Sequence, residues 1–167
     1  ETPLGDFDLS ITGNEDLSLY DVSAELKDDL QKTFTATGSI NTSEGNSQIN
    51  VNAVFKDFNL VALSPLGGEV LDNIRGLTSG QAKITGTLSK PDINGSLQLN
   101  NAGLRIPYLN TDFDLENNSQ ITVTSTSFDF KNLQLKDTKY MTKGTLSGAI
   151  NHKNFGFWDL DLKIESE

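Results

Sequence analysis

Apolar and polar residues alternate one by one along most of the chain. Phe7, Leu9 and Ile11 interleave with Asp6, Asp8, Ser10 and Thr12. Phe34, Ala36, Gly38 and Ile40 repeat the pattern, as do Ile49, Val51, Ala53 and Phe55, and then Phe58, Leu60 and Ala62. A period of two puts successive side chains on opposite faces of an extended chain, so each stretch predicts a strand with one apolar and one wet face. The rhythm resumes at Ile84, Gly86 and Leu88, at Leu97 and Leu99, from Leu104 to Leu109, and at Phe113 with Leu115. It continues through Ile121 with Val123, Phe128 with Phe130 and Leu133 with Leu135, and ends in a hairpin that sets Gly144, Leu146, Gly148 and Ile150 against Phe157 or Trp158, Leu160, Leu162 and Ile164. Turn-forming clusters such as Gly13-Asn14-Glu15-Asp16 and Lys27-Asp28-Asp29 separate the strands. Between Leu17 and Leu26 the apolar positions pass from odd to even, which predicts a bulge near Tyr20 and Asp21.

The rhythm breaks once. Ser64-Pro65 reads as an N-cap followed by an N1 proline, Leu66, Val70, Leu71 and Ile74 fall on one helical face, and Gly76 stands where a helix would close. A short α-helix around residues 65–75 is therefore expected. Gly67 and Gly68 each cost such a helix roughly 1 kcal/mol, so packing would have to hold it.

The pattern as a whole is mainly β, a meander of antiparallel strands with one apolar face. Gly38, Gly86, Gly95 and Gly144 recur beside Leu or Ile on that face. Glycine inside a strand marks either a bend or a place where something approaches closely, and both readings fit. Curled into a closed barrel or sandwich, the apolar face is a core. Left open, it is a trough for acyl chains, each buried methylene contributing about 0.8 kcal/mol. Periodicity does not choose between the two.

With 167 residues, one domain is expected. A net charge of −10 argues against nucleic acid or an anionic membrane surface as an electrostatic partner. The absence of cysteine excludes disulfides, thiolate metal sites and cysteine nucleophiles. No catalytic constellation emerges. The carboxylate pairs Asp6/Asp8, Asp112/Asp114 and Asp159/Asp161 lie opposite the apolar positions, where a solvated face is expected, and none completes a calcium loop. His152, the sole histidine, sits in an apparent turn and reads as a surface residue that cannot anchor a zinc site alone. No enzyme activity, metal or cofactor is expected.

One longer run has a specific look. Phe55-Lys-Asp-Phe-Asn-Leu60, Leu63-Ser-Pro-Leu66, Ile74-Arg-Gly-Leu77-Thr-Ser-Gly80, Ile84-Thr-Gly-Thr-Leu88, Lys90-Pro-Asp-Ile-Asn-Gly95 and Leu97-Gln-Leu-Asn-Asn-Ala102 follow one another in an order and spacing that resembles the C-terminal conserved region of the TamB family. The resemblance is closest over Val51 to Pro107. It implies one stretch, residues 1–167, of a longer Gram-negative envelope protein, anchored in the inner membrane and spanning the periplasm. Its strands would curl into an elongated open apolar groove, the β-taco shared with AsmA-like and bridge-like lipid transfer proteins. The implied role is moving phospholipid toward the outer membrane, or assembling outer-membrane proteins with a TamA/BamA-type barrel that the parent protein would contact. Joined to the alternation, it makes Phe34, Ile49, Val51, Phe58, Leu60, Ile84, Leu88, Leu97, Leu99, Ile121, Val123 and Leu146 the expected groove wall. The expected occupants are phospholipid acyl chains or unfolded outer-membrane protein. A chaperone-like groove that takes client strands, and a closed β-sandwich adhesion or carbohydrate-binding module, are the alternatives.

Overall fold

A computed structural model describes residues 5–28, 31–43, 45–66, 71–153 and 156–166. Within them the alternating stretches become eleven strands of one sheet: β1 (Asp6–Gly13), β2 (Leu19–Asp28), β3 (Gln31–Asn41), β4 (Gln48–Asn59), β5 (Asp72–Thr87), β6 (Lys90–Ile106), β7 (Thr111–Leu115), β8 (Ser119–Thr124), β9 (Ser127–Asp137), β10 (Lys143–Lys153) and β11 (Gly156–Ser166). Each strand pairs antiparallel with its neighbour. β7 and β8 lie end to end between β6 and β9, β7 along Gly103–Ile106 and β8 along Asn94–Leu99. The sheet curls, and among the described residues β1 and β11 do not pair with each other, so these strands form one continuous sheet rather than a closed barrel.

Three local expectations change. The described residues contain no α-helix: Leu60–Leu66 is a 3-10 helix, Ser64 and Pro65 lie inside it, and Ile74 belongs to β5. Residues 67–70, including Val70, lie outside the described residues. Gly76, expected to close a helix, is a strand residue at φ +100° in the bulge between Arg75 and Leu77. The reason is tertiary. Pairing to β6, with Asp72 opposite Arg105 and Arg75 opposite Gly103, gives this stretch ladder hydrogen bonds that a two-turn helix interrupted by glycines cannot match.

No bulge occurs at Tyr20 and Asp21. Leu17 sits in the turn at φ +57°, and Tyr20 joins Val22, Ala24 and Leu26 on the even face, so β2 runs regularly to the shift at Leu26/Lys27. Leu97 with Leu99 and the stretch from Leu104, read as separate strands, join through a bulge in a single 17-residue β6, where Asn101 takes φ +48° and its N–H donates to Asn117 Oδ1 at 2.6 Å.

Two other bulges are copies of each other. Phe55-Lys-Asp-Phe-Asn-Leu60 and Phe130-Lys-Asn-Leu-Gln-Leu135 share a pattern, and in each the third residue, Asp57 or Asn132, adopts a left-handed conformation at φ +48° or +52°. The Asp57 N–H donates to Ser79 Oγ at 2.9 Å, and the hydroxyl returns a bond to Asp57 Oδ1 at 3.2 Å. Asn132 and Ser147 repeat the exchange at 3.2 and 2.9 Å. After each serine comes a glycine, Gly80 or Gly148, at φ +153° or +118°. A Cβ there would stand 2.2 Å from the Ser96 carbonyl oxygen or 2.1 Å from that of Asp161. A short Asx side chain tolerates the left-handed region, and the adjoining glycine lets the next strand approach, so the ladder slips one residue and bends.

Candidate functional site

Directly opposed residues of an antiparallel pair point to the same face, so register shows which side chains share a surface. Starting at Phe7, the partners run Leu26, Phe34, Phe55, Gly80, Leu97, Ile121, Phe130, Gly148 and Leu162. Starting at Leu9, they run Ala24, Ala36, Ala53, Ala82, Gly95, Val123, Phe128, Ile150 and Leu160. Both rows cross the whole sheet without a polar residue. The row between them, from Asp8 through Glu25, Thr35, Val54, Gln81, Ser96, Thr122, Asp129 and Ala149 to Asp161, faces the other way and is largely polar.

Most of the expected wall residues lie on this apolar face. Phe34, Leu97 and Ile121 are in the first row and Val123 in the second. Val51 and Ile84 are directly paired with each other, and Ile49 pairs with Ile40. Leu99 and Phe58 share Thr78 as partner, and Leu146 pairs with Leu133 and Ile164. Val51, Leu60, Leu97, Leu99, Ile121, Val123 and Leu146 are buried, while Phe34, Ile49, Phe58 and Ile84 are half-buried. Leu60 reaches the face from the 3-10 helix rather than from a strand. Leu88 does not belong to a strand: it lies in the turn between β5 and β6, is 50% exposed, and its N–H donates to the Ser47 carbonyl at 3.0 Å.

The face also contains residues outside the expected wall. Phe113, Leu115, Phe130, Leu133 and Leu135 are buried with Leu97, Leu99, Ile121 and Leu146 in the larger apolar cluster, while Ala24, Ala36 and Ala53 surround Val51 in a second one. Phe55 bridges the two, its ring 5.1 Å from that of Phe34 and 5.6 Å, edge-on, from that of Phe58. The signal for Phe130, Leu133 and Leu135 was the even-to-odd change in their spacing, the mark of the bulge at Asn132. Where the sheet curls around β7 to β11, Leu104, Ile106, Phe113, Leu135, Leu146 and Ile164 help line a wholly apolar hollow. It is narrow, with a cavity volume of about 20 Å³, room for roughly one water molecule.

Two polar features border the face. Arg75 reaches across β6 and lies over Gly103, where a Cβ would come within 2.4 Å of its Cζ. Its guanidinium meets Asp112 at 2.7 Å and Asp114 at 2.6 Å, and donates to the Phe113 carbonyl at 3.0 Å. Burial works to lower the Arg75 pKa, but the two carboxylates outweigh it and raise it above the ordinary arginine value. The Asp112/Asp114 pair, opposite the apolar positions as expected, is thus also an ion-pair clamp between β5 and β7, with Asp114 exposed and Asp112 half-buried. His152 is not a surface residue. It is 5% exposed, 5.5 Å from the Phe128 ring and 5.4 Å from that of Trp158, and this burial lowers its pKa below the usual histidine value. Among the described residues no group of acidic or histidine side chains is arranged to hold a metal ion.

The sequence profile of the TamB C-terminal domain matches residues 23–166. The chain belongs to the TamB family. That match extends on both sides of the Val51–Pro107 run and takes in every strand from the body of β2 to β11. TamB membership places the chain in the Gram-negative envelope and connects it with outer-membrane assembly or lipid transport alongside an outer-membrane partner. No curated protein and no solved structure matches the chain. Among the described residues no helix is long and apolar enough to cross a membrane.

Proposed function

We propose that this TamB domain is a non-catalytic, periplasmic segment of a longer inner-membrane-anchored protein, and that its curled sheet is an apolar β-taco groove conducting phospholipid toward the outer membrane. The observation that carries this reading is the pair of unbroken apolar rows from Phe7 to Leu162 and from Leu9 to Leu160, backed by a polar outer face. The rows run across the strands, so an acyl chain lying along them would pass from lane to lane, each about 4.8 Å wide, without meeting a polar group. The cavity near Phe113 and Leu135 holds about 20 Å³, so an acyl chain there requires the curled walls to part. Supply and delivery would depend on the parent protein, including its contact with a TamA/BamA-type barrel.

Photo-crosslinking residues placed at Phe34, Ile84 and Leu97 in cells should capture phospholipid, with one at the exposed Gln98 as control. Capture equal at Gln98, or absent from all three inner positions, would sink the proposal. A chaperone-like role draws on a different observation: β1 pairs only with β2 among the described residues and exposes Phe7, Leu9 and Ile11. An unfolded outer-membrane strand could add to such an edge. Crosslinks from Ser10 to polypeptide, with none to lipid from Leu97, would favour that second reading.

A further inference from the structure

Two turns 30 residues apart in sequence meet at one end of the sheet. Pro107–Leu109 forms a 3-10 helix closed by Asn110, whose N–H donates to the Pro107 carbonyl at 2.9 Å. The second turn, between β9 and β10, is closed by Asp137. Its backbone N–H donates to the Thr142 carbonyl at 2.9 Å, and its buried carboxylate accepts from the Lys139 and Tyr140 N–H groups at 2.7 and 2.6 Å. β7 joins the turns, for it begins at Thr111 and the Thr138 N–H donates to the Asp112 carbonyl at 2.9 Å.

These turns are internally tied, yet they present large apolar side chains to solvent. Tyr108 is 93% exposed, Leu109 50%, Tyr140 68% and Met141 58%. None of the four belongs to the two rows of the apolar face. The charges around them are also unusual for a chain of net −10. Lys136 and Lys143 stand directly opposite one another across β9 and β10, and the Lys139 ammonium lies 4.9 Å over the Tyr140 ring. Like charges directly opposed cost stability unless an anion is shared between them. Among the nearby acids Asp137 is committed to its own turn and Asp112 to Arg75. Asp114, also bound to Arg75, stands opposite Lys136 on its other side and leaves Lys139 and Lys143 without an acid directly across from them among the described residues.

We infer that this tip is a contact site for a phospholipid bilayer surface, with Tyr108, Leu109, Tyr140 and Met141 entering the headgroup layer and Lys136, Lys139 and Lys143 meeting lipid phosphates. Tyrosine suits that layer because its ring is apolar and its hydroxyl wet, and lysine stems cover apolar surface while keeping the ammonium in the polar zone. A zwitterionic bilayer offers phosphates without the repulsion that a chain of net −10 meets at an anionic one. The tip adjoins the apolar hollow, for Ile106 and Phe113, which help line it, are each within a few residues of a turn. The bilayer contact rests on the tip residues alone and stands whether or not the groove conducts lipid.

The test is flotation of the whole chain with vesicles of phosphatidylethanolamine and phosphatidylcholine. The wild type should float, and a Tyr108→Ser/Leu109→Ser/Tyr140→Ser/Met141→Ser variant should lose about tenfold or more in partitioning, with unchanged circular dichroism. A Phe7→Ser/Leu9→Ser/Ile11→Ser variant should float as well as wild type, because those residues belong to the other end of the apolar face. In a Trp158→Phe background, Tyr140→Trp should report insertion by a blue shift and by quenching with brominated lipid. Failure of the wild type to float, or undiminished flotation of the four-serine variant, would overturn the inference. Groove crosslinking from Leu97 is read separately, so either result can fail without the other.

Discussion

Replacing Gly148 by alanine tests how the sheet acquires its curl. At φ +118° a side chain is strained by about 1–3 kcal/mol whatever surrounds it. Its Cβ would also stand 2.1 Å from the Asp161 carbonyl oxygen, an atom of the β11 backbone that cannot rotate away. β10 and β11 would have to separate, with an overpacking cost of about 1–3 kcal/mol more. The sum is roughly 2–6 kcal/mol by these two terms. Gly45→Ala is the matched control, for Gly45 also has a positive φ, +61°, but a Cβ there meets nothing within 4 Å. Only the left-handed backbone cost of roughly 1–2 kcal/mol applies. In urea unfolding followed by circular dichroism, a slope of about 2 kcal/mol per molar converts these into midpoint shifts of roughly 1–3 M and 0.5–1 M. Gly80→Ala, 2.2 Å from the Ser96 carbonyl, should behave like Gly148→Ala. If both variants shifted the midpoint no further than Gly45→Ala, close approach at the bulges would not be what bends the sheet.

Three further outcomes follow from single residues. Leu99→Ala should cost about 2–5 kcal/mol, whereas Leu88→Ala, in its exposed turn, should cost under about 0.5 kcal/mol; equal midpoint shifts would contradict the burial described. Arg75→Met should destabilise by about 1–2 kcal/mol, a value reduced for the exposure of Asp114, and should make unfolding less salt-dependent; an unchanged salt dependence would show that the clamp is silent. His152 has a folded-state pKa below its unfolded value near 6.5, so the unfolded chain binds the extra proton first. Its contribution should be whole above pH 6.5 and be lost as pH falls through that value toward the folded pKa. His152→Gln should flatten stability between about pH 7.5 and 5.5, and an identical slope in both proteins would refute the assignment.

The period of two is a local property, because successive Cβ atoms of an extended chain point to opposite sides whichever strand lies alongside. That is why the mainly β class, the apolar residues Phe34, Val51, Leu97, Ile121 and Val123, and their shared face could be read directly. Whatever depends on a distant partner could not. Ile74 followed a helical spacing, but pairing between β5 and β6 made it a strand residue. His152 looked like a turn residue, and Phe128 and Trp158 from neighbouring strands buried it. The Asp112/Asp114 pair gave no sign of a partner, and it is Arg75, crossing the vacant surface of Gly103, that reaches it. The continuity of the two apolar rows, the matched bulges at Asp57 and Asn132, and the placing of the Tyr108 and Tyr140 turns at one end of the sheet all depend on register, which is set between strands and not within them. The sequence by itself determined which side of each strand is apolar. Only the tertiary structure decided which residues stand opposite one another, where the sheet bends, and which apolar side chains remain in water.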